Sequence, residues 1–406
     1  MQRRKFISGL TSTLLGSLAM AGSSPSWKTL PRFRDGTALR GTARNLIFVF
    51  LEGGPCHIDT FDLKTGPHNP EFFNGRYYGD LFWPTGVMPK LASRTNQFSI
   101  IRSLSGLEVV HSRAVYQLLT AHRFNEGLIQ EVPHFASTAS YMLAHERQES
   151  HTLPAVITID NRVAGNGFLP VEHLGLDLGR GASVPDRKHS FIAEHSRFNL
   201  LSDLLEDVSV SDKRKDAVNF FHQARELMND QELAVILDEL DDRPLGDVSL
   251  EAFLHQCSFA HRMLAADKGA RIIQLKLPGW DHHRDIYKGT DDFSLVGRCR
   301  FLDAGLSQLL DDLEGSPSVH SPGKTLLDET LVVAMGEFGR TVGPLNGING
   351  RDHYPYVIPA FIAGGGVVGG RVIGATTPDG AAITDLGWSH NRYMSVLDLT
   401  ATLYSA

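Results

Sequence analysis

Histidine and carboxylate side chains recur in this chain beside glycines, each time close to an apolar run of strand length. Four such groups stand far apart in the sequence: His57 with Asp59, Asp281 with His283, Glu337, and Asp352 with His353. Imidazole nitrogens and carboxylate oxygens are common ligands of divalent metal ions, and a high share of imidazole favours a transition metal. If the groups meet, they predict a site for one or two ions, with Zn²⁺ or Mn²⁺ favoured and Ca²⁺, Mg²⁺ or Fe as alternatives.

Such a site would suit displacement at the central atom of an ester. Two ions about 3.5–4 Å apart stabilise the attacking and the leaving oxygen of a phosphoryl-type displacement. Arg340, three residues after Glu337, is a candidate for holding an anionic substrate oxygen through two N–H groups. His111, at the start of a predicted helix, is a second candidate for orienting the ester. Ser112 beside it is more typical of a helix cap than of a nucleophile.

The same residues also have purely structural interpretations. His57 and Asp59 can cap the turn that follows the first strand. Glu337 can form a salt bridge with Arg340, and the group around Asp281 can be a structural polar cluster. The sequence leaves both interpretations open for each group.

Apolar runs beside these groups are the strands that must position them. Asn45–Leu51 is a continuous apolar run that ends in glycines, which is typical of a buried, central parallel strand. Ala270–Leu277 and Thr330–Ala334 end in the same way, and helical patterns such as Leu250–Asp267 and Phe293–Leu313 alternate with them. Because the carboxyl ends of parallel strands meet at one edge and collect ligands there, we predict an α/β fold with a mostly parallel central sheet and one site at that edge.

Other stretches give less specific predictions. Val357–Ala363 is a further strand, and Gly364–Gly370 with Arg371–Ile373 predicts a glycine turn into an edge hairpin. Asp352 and His353 are expected to follow a strand, like the other groups. Residues 161–190 predict a Gly- and Pro-rich connection at the rim of the site, and Ser211–Asp242 predicts a pair of covering amphipathic helices.

Composition excludes some classes of partner. The chain has 406 residues, 42% of them hydrophobic, which is ordinary for a globular protein. A formal net charge of −7 and no basic cluster beyond the first residues argue against nucleic acid as a partner. Cys56, Cys257 and Cys299 fit neither a disulfide framework nor a zinc–thiolate pattern, so we expect three buried thiols.

The N-terminus carries an export pattern. Arg3-Arg4-Lys5 precedes the weakly apolar run Ser8–Met20, which predicts a twin-arginine signal. The predicted divisions are a signal peptide at 1–27, a linker at 28–42 and one domain at 43–406. A membrane anchor is the alternative, but a spanning helix needs about 20 apolar residues, more than this run contains. We therefore expect no stable membrane span after signal removal. The export signal predicts a location in the periplasm or at the cell surface. The helical pattern Tyr393–Tyr404 ends without a cap, which predicts a truncated C-terminus.

Five motifs carry a resemblance to a known family. They are GGPCHIDTFDLK at Gly53–Lys64, IRSLSGLEVVHSRA at Ile101–Ala114, LPGWDHH at Leu277–His283, GEFGRT at Gly336–Thr341 and GRDHYP at Gly350–Pro355. With these motifs the chain resembles the exported family called domain of unknown function 1501, in the alkaline-phosphatase-like and sulfatase-like superfamily. The resemblance covers nearly everything after the signal. It implies a three-layer α/β/α alkaline-phosphatase-like fold and metal-dependent hydrolysis of phosphate or sulfate esters.

The chain departs from that family's pattern in ways that leave two functions open. Cys56 replaces a usual Ser, and His282 a usual Thr. Val109 and Val110 stand where sulfatases place their modified cysteine, which argues against a formylglycine mechanism. The resemblance therefore implies either an exported hydrolase of an anionic ester, with a glycan-borne ester as one case, or an inactive member that serves as a periplasmic or surface binding or assembly protein. Protein partners remain unknown.

Overall fold

The computed structural model describes residues 41, 43–159, 165–178, 230, 233 and 248–406. Its strands are β1 Asn45–Phe50, β2 Gly75–Tyr78, β3 Leu81–Pro84, β4 Phe98–Leu104, β5 Val156–Thr158, β6 Leu176–Asp177, β7 Ile272–Lys276, β8 Thr330–Met335, β9 Gly339–Arg340, β10 His353–Tyr354, β11 Ile358–Gly364, β12 Arg371–Ile373, β13 Ala375–Thr376 and β14 Ile383–Asp385. Its α-helices are α1 Pro89–Ala92, α2 His111–Thr120, α3 Phe135–Met142, α4 Leu250–Ala265, α5 Leu295–Gly315 and α6 Val396–Ser405. Several predicted segments lie outside the described residues: the signal peptide at 1–27, the linker at 28–42 except residue 41, the connection at 161–190 except residues 165–178, and the helix pair at 211–242 except residues 230 and 233.

An eight-stranded mixed sheet forms the centre, in the order β12-β4-β11-β8-β1-β7-β5-β6. β1 pairs in parallel with β7 on one side and with β8 on the other. Of the described strands in this sheet, β11 alone runs against its neighbours, β4 and β8. The predicted α/β class with a mostly parallel central sheet is confirmed.

Both faces of this sheet are covered, because successive side chains of a strand point to opposite sides. Ile47 and Val49 belong to an apolar cluster with residues of α4 and α5. Phe48 and Phe50 belong to a second cluster with residues of α2, α3 and α6. The sheet is therefore the middle of three layers, as the family resemblance implied.

The last strands of the sheet correct two predictions. The expected edge hairpin after Gly364–Gly370 is wrong, because β12 pairs in parallel with β4 and not with β11. The glycine-rich segment is long enough to carry the chain past β4 to the edge of the sheet. Asp352 and His353 do not follow a strand of the central sheet; they precede β11, which runs in the opposite direction.

Helix α5 fixes the loop that leads from β7 to the site. It begins after Ser294, whose hydroxyl oxygen accepts a hydrogen bond from Gly297 N at 3.0 Å. One turn in, the fully buried Arg298 donates to the carbonyl of Pro278 at 3.1 Å. The loop after β7 is thus tied to a 21-residue helix.

Two simpler expectations can be compared with the structure. Cys56, Cys257 and Cys299 are free and buried, as predicted. In the part of the chain that the structure describes, no helix combines the length and the apolar character needed to cross a membrane.

His134 links α3 to the sheet in a way that makes stability depend on pH. Its Nδ1 accepts a hydrogen bond from Ala136 N at 2.9 Å, which caps α3, and its Nε2 lies 2.9 Å from Gln274 Oε1 in β7. Burial lowers the pKa of His134 to about 4, against the smaller opposing effect of Gln274. The folded protein therefore holds this imidazole neutral at pH values where the unfolded chain protonates it.

We expect the free energy of unfolding to fall between pH 7 and about pH 4.5, because the unfolded state binds a proton there that folded His134 does not. A difference of one pKa unit corresponds to about 1.4 kcal/mol. His134→Asn can still cap the helix, and its free energy of unfolding should fall by about 2–3 kcal/mol less than that of the wild type over this pH range. Denaturant unfolding of both proteins at the two pH values measures this. The same loss in both would contradict the assignment.

Candidate metal centre

The site lies at the edge of the sheet where the parallel strands end. Asp281 follows β7, Glu337 follows β8, and His111 begins α2 after β4. His353 reaches the same edge because β11 is antiparallel and starts there. Ligands therefore come from connections on both sides of the central strand β1.

Four side chains form one group: His111, Asp281, His283 and His353. One possible ligand atom from each lies within 4.8 Å of the others. Asp281 Oδ1 is 3.1 Å from His283 Nε2 and 3.3 Å from His353 Nε2. Asp281 Oδ2 is 3.2 Å from His111 Nε2. Three imidazole nitrogens and one carboxylate oxygen match the four-ligand N/O sets of zinc in type and number.

Each imidazole of this group is oriented through its Nδ1 atom. The three acceptors are Glu337 Oε1 for His111 at 2.6 Å, Asp352 Oδ1 for His283 at 3.1 Å, and the Val109 carbonyl for His353 at 2.6 Å. An oxygen acceptor at Nδ1 favours the tautomer that carries its proton there, which leaves Nε2 as a free lone pair. The three Nε2 lone pairs then face a common centre.

This arrangement fits a divalent cation. His283 Nε2 and His353 Nε2 lie 2.9 Å apart, and in the tautomer set by their Nδ1 partners neither carries a hydrogen. His111 Nε2 is buried and makes no hydrogen bond, although Asp281 Oδ2 lies nearby. Lone pairs that face each other at this distance repel, and a cation between them would remove the repulsion. The residues present therefore fit a metal ion.

Neighbouring charges keep Asp281 ionised. Burial alone would raise the pKa of its carboxyl group, but the hydrogen bond and charge of Arg340, together with His111 and His283, hold that pKa at about 2. The hydrogen bond to Glu337 raises the pKa of His111, whereas burial lowers the pKa of His353. Asp281 therefore offers a carboxylate to a cation at neutral pH.

Two glycines allow the site's backbone segments to approach one another. Gly53, after β1, has φ +111°, and a Cβ atom there would lie 2.6 Å from Asp281 N. At Gly350 a Cβ atom would lie 1.9 Å from the carbonyl oxygen of His283. Any larger residue at either position would push a ligand-bearing loop away.

His57 and Asp59, predicted as metal ligands, lie outside the four-residue group. Both are fully buried. His57 Nε2 lies 3.0 Å from the carbonyl of Gly380. Asp59 accepts hydrogen bonds from Tyr287 Oη at 3.0 Å and from Asn69 Nδ2 at 2.9 Å. Their contacts support the loops around the site.

Glu337 and Asp352, also predicted as ligands, lie one hydrogen bond behind the group. Glu337 Oε1 contacts His111, and both its carboxylate oxygens accept from Gly53 N, at 3.1 and 3.3 Å. Asp352 Oδ1 contacts His283 Nδ1. Both carboxylates thus orient an imidazole.

The helix start and Arg340 are the remaining predicted positions. Helix α2 begins at His111 with Val110 before it, so Ser112 is not the cap. His111, expected to orient an ester, stands among the possible ligands. Arg340, expected to hold a substrate oxygen, has a side chain with 0% exposure. The carbonyl of Val109, which contacts His353, is a backbone group, so no side-chain pattern in the sequence could have predicted its role.

We expect Gly53→Ala to lower the free energy of unfolding more than Gly323→Ala does; position 323 is a control that also has a positive φ, +82°. Each change costs about 1–2 kcal/mol from the backbone conformation alone. Only at Gly53 does the new methyl group meet backbone, whereas nothing lies within 4 Å at Gly323. We expect an additional loss in the free energy of unfolding of about 1 kcal/mol or more, and a changed emission of Trp280, which precedes Asp281. Equal losses with unchanged Trp280 emission would contradict the proposed packing.

Comparisons with known proteins add family membership. The family model described as "Protein of unknown function (DUF1501)" matches residues 43–406. None of the curated proteins matches the chain.

Several solved structures are similar at low identity. Ps i-CgsB in complex with k-i-k-neocarrahexaose is 12% identical with a TM-score of 0.45, over 89% of this chain and 72% of that one. A protein in the alkaline phosphatase superfamily from Vibrio parahaemolyticus is 10% identical with a TM-score of 0.40, over 100% and 75%. The C-terminal periplasmic domain of EcEptC from Escherichia coli, in complex with Zn, is 10% identical with a TM-score of 0.39, over 92% and 84%. Similarity at this level carries no information about the reaction. The match to the family model, by contrast, establishes membership: over residues 43–406 the chain belongs to the DUF1501 family.

Proposed function

We propose that His111, Asp281, His283 and His353 bind one divalent transition metal ion, with Zn²⁺ or Mn²⁺ favoured, and that the site hydrolyses phosphate or sulfate esters. The observation that carries this proposal is the convergence of three Nε2 atoms and one carboxylate within 4.8 Å. Imidazole-rich sets of this kind suit zinc and related metals better than Ca²⁺ or Mg²⁺.

Exposure of the group supports a catalytic rather than a purely structural ion. The side chains of Asp281, His283 and His111 are 46%, 38% and 36% exposed, so a substrate can reach them from solvent. A bound ion would supply Lewis-acid chemistry toward an ester oxygen. Glu337 and Asp352 would hold the Nδ1 protons of His111 and His283 and so fix the direction of both rings.

The surroundings of the group suggest which esters to test first. Val109 and Val110 directly precede the possible ligand His111, the Val109 carbonyl contacts His353, and both valine side chains are 48% exposed. Exposed apolar side chains beside a site favour contact with an apolar part of a ligand. Aryl phosphates and aryl sulfates are therefore suitable probes.

Ser112 is the side chain to test as a nucleophile. It follows the possible ligand His111 at the start of α2 and is exposed. If water is the attacking group, Ser112→Ala should retain activity; if the serine attacks, the variant should lose nearly all of it.

Metal content is the first test. Purified protein without the predicted signal should contain about one equivalent of Zn²⁺ or Mn²⁺ by elemental analysis, and Asp281→Ala/His283→Ala should lose it, because half of the ligand set is removed. A matched control is Asp267→Asn/His320→Ala, which breaks another Asp–His contact, of 3.0 Å, and keeps a residue tolerant of the positive φ at position 267. Wild-type protein without metal would rule out the proposal.

A second candidate function is binding without turnover. The sequence motivates it, since Val109 and Val110 replace the residue that sulfatases modify. Stoichiometric metal in the wild type, with no hydrolysis of any aryl phosphate or aryl sulfate, would favour a periplasmic or surface binding or assembly protein over the enzyme.

We also propose export by the twin-arginine route to the periplasm or the cell surface. The Arg3-Arg4 pair and the apolar run after it support this proposal. Arg3→Lys/Arg4→Lys should leave the full chain in the cytoplasm, as judged by cell fractionation, because the route reads the arginine pair. Undiminished export of that variant would contradict this route.

A further inference from the structure

We propose that Arg340 is the positioning residue of the metal centre: it holds the carboxylate of Asp281 against the three imidazoles, and it does not bind substrate. The inference rests on the proposed metal site and adds to it the residue that fixes the position of the carboxylate ligand. It replaces the expectation that Arg340 holds an anionic substrate oxygen.

Four of the five N–H hydrogens of the Arg340 guanidinium donate to oxygen atoms of the protein. Nε donates to the carbonyl of Gly54 at 2.9 Å. Nη1 donates to the carbonyl of Arg351 at 3.1 Å and faces His283 Nε2 at 3.4 Å. Nη2 donates to the carbonyl of Gly53 and to Asp281 Oδ1, the latter at 2.5 Å. With four hydrogens donated to protein oxygens and a side chain that is 0% exposed, Arg340 is not accessible to a substrate oxygen.

These hydrogen bonds link the loops that carry the possible ligands to the turn after β1. Gly53 and Gly54 follow β1, Asp281 follows β7, and Arg351 precedes His353. Arg340 itself lies in β9, directly after β8. One planar side chain therefore sets the separation of several loops, which a flexible lysine could not do with the same number of hydrogen bonds.

The same contacts fix the direction of the Asp281 carboxylate. Oδ1 accepts from Arg340 Nη2 and lies 3.1 and 3.3 Å from the Nε2 atoms of His283 and His353. Oδ2 lies 3.2 Å from His111 Nε2. The hydrogen bond from Arg340 therefore holds the carboxylate among the three Nε2 atoms that would bind an ion with it.

A positioning role and a purely electrostatic role of Arg340 predict opposite effects. The guanidinium charge repels a nearby divalent cation, so removing that charge would by itself tighten metal binding. Removing a residue that orients a ligand weakens metal binding, typically about 10–100-fold. The sign of the change in affinity therefore separates the two roles.

The test measures Co²⁺ and Zn²⁺ affinity and the visible absorption of the Co²⁺ form for the wild type, Arg340→Met and Arg340→Lys. We expect Arg340→Met to bind both metals about 10–100-fold more weakly. Its Co²⁺ absorption should also change, because an unrestrained Asp281 would no longer hold the ligand arrangement of the wild type. Arg340→Lys should retain the fold, since it can still donate to backbone carbonyls, but it should not restore wild-type affinity or spectrum.

Arg147→Met is the control. Arg147 is partly buried and also donates to backbone carbonyls, of His151 at 2.8 Å and Leu153 at 2.9 Å, but neither bond reaches the four ligands or the loops that carry them. We expect this variant to lose stability while its metal affinity stays within about threefold of the wild type, since it leaves every imidazole and Asp281 with their partners.

The outcomes separate this inference from the proposed function. Wild-type affinity or tighter binding in Arg340→Met, or full rescue in Arg340→Lys, would overturn the positioning role while leaving the metal site intact. Absence of metal binding in the wild type would overturn the metal site itself, and the positioning role with it.

Discussion

The carboxylate of Asp281 contacts the three imidazoles and the buried arginine of the candidate metal centre. Its two oxygens meet the Nε2 atoms of His111, His283 and His353, and one of them also accepts from Arg340. A single anion thus offsets a buried guanidinium and faces three nitrogen lone pairs. The position of this one side chain depends on a glycine at position 53, because no other residue would leave space for the backbone of Asp281. The turn after β1, the loop after β7 and the buried arginine are therefore parts of one packing arrangement.

Reversal of one strand explains how the ligands can surround a common point. Parallel strands deliver residues to an edge only after they end, and Asp281 and Glu337 arrive in this way. His353 comes before its strand, because β11 runs in the opposite direction between β8 and β4. The antiparallel strand thus places an incoming loop among outgoing loops, and the ring of His353 lies against the Val109 carbonyl, which precedes α2. Without that reversal, the loop with Asp352 and His353 would lie at the opposite edge of the sheet.

Much of this could be predicted from local sequence. The apolar run at β1, the alternation of strands and helices and the D-x-H pattern at Asp281 pointed to the α/β class and to groups at one edge. The direction in which each side chain faces could not be predicted. His57 and Asp59 follow β1 just as Asp281 follows β7, yet they form a short 3-10 turn that faces inward, toward Gly380 and Tyr287. Burial of Arg340 depends on three carbonyls from two separate loops, those of Gly53, Gly54 and Arg351, and carbonyl positions cannot be predicted from side-chain patterns.

The position of β1 in the sheet has a consequence for how the chain acquires its structure during synthesis. β1 is the first described strand to leave the ribosome, yet its two neighbours, β7 and β8, belong to the last third of the chain. Its apolar side chains on one face must wait for α4 and α5, which are also encoded late, and the cluster on the other face, which α2 and α3 begin, is completed only by α6. Contacts between such distant segments form slowly, because loop-closure entropy must be overcome before they add stability. A nascent chain of this family should therefore need protection from aggregation, by chaperones that bind extended apolar segments, until translation is nearly complete.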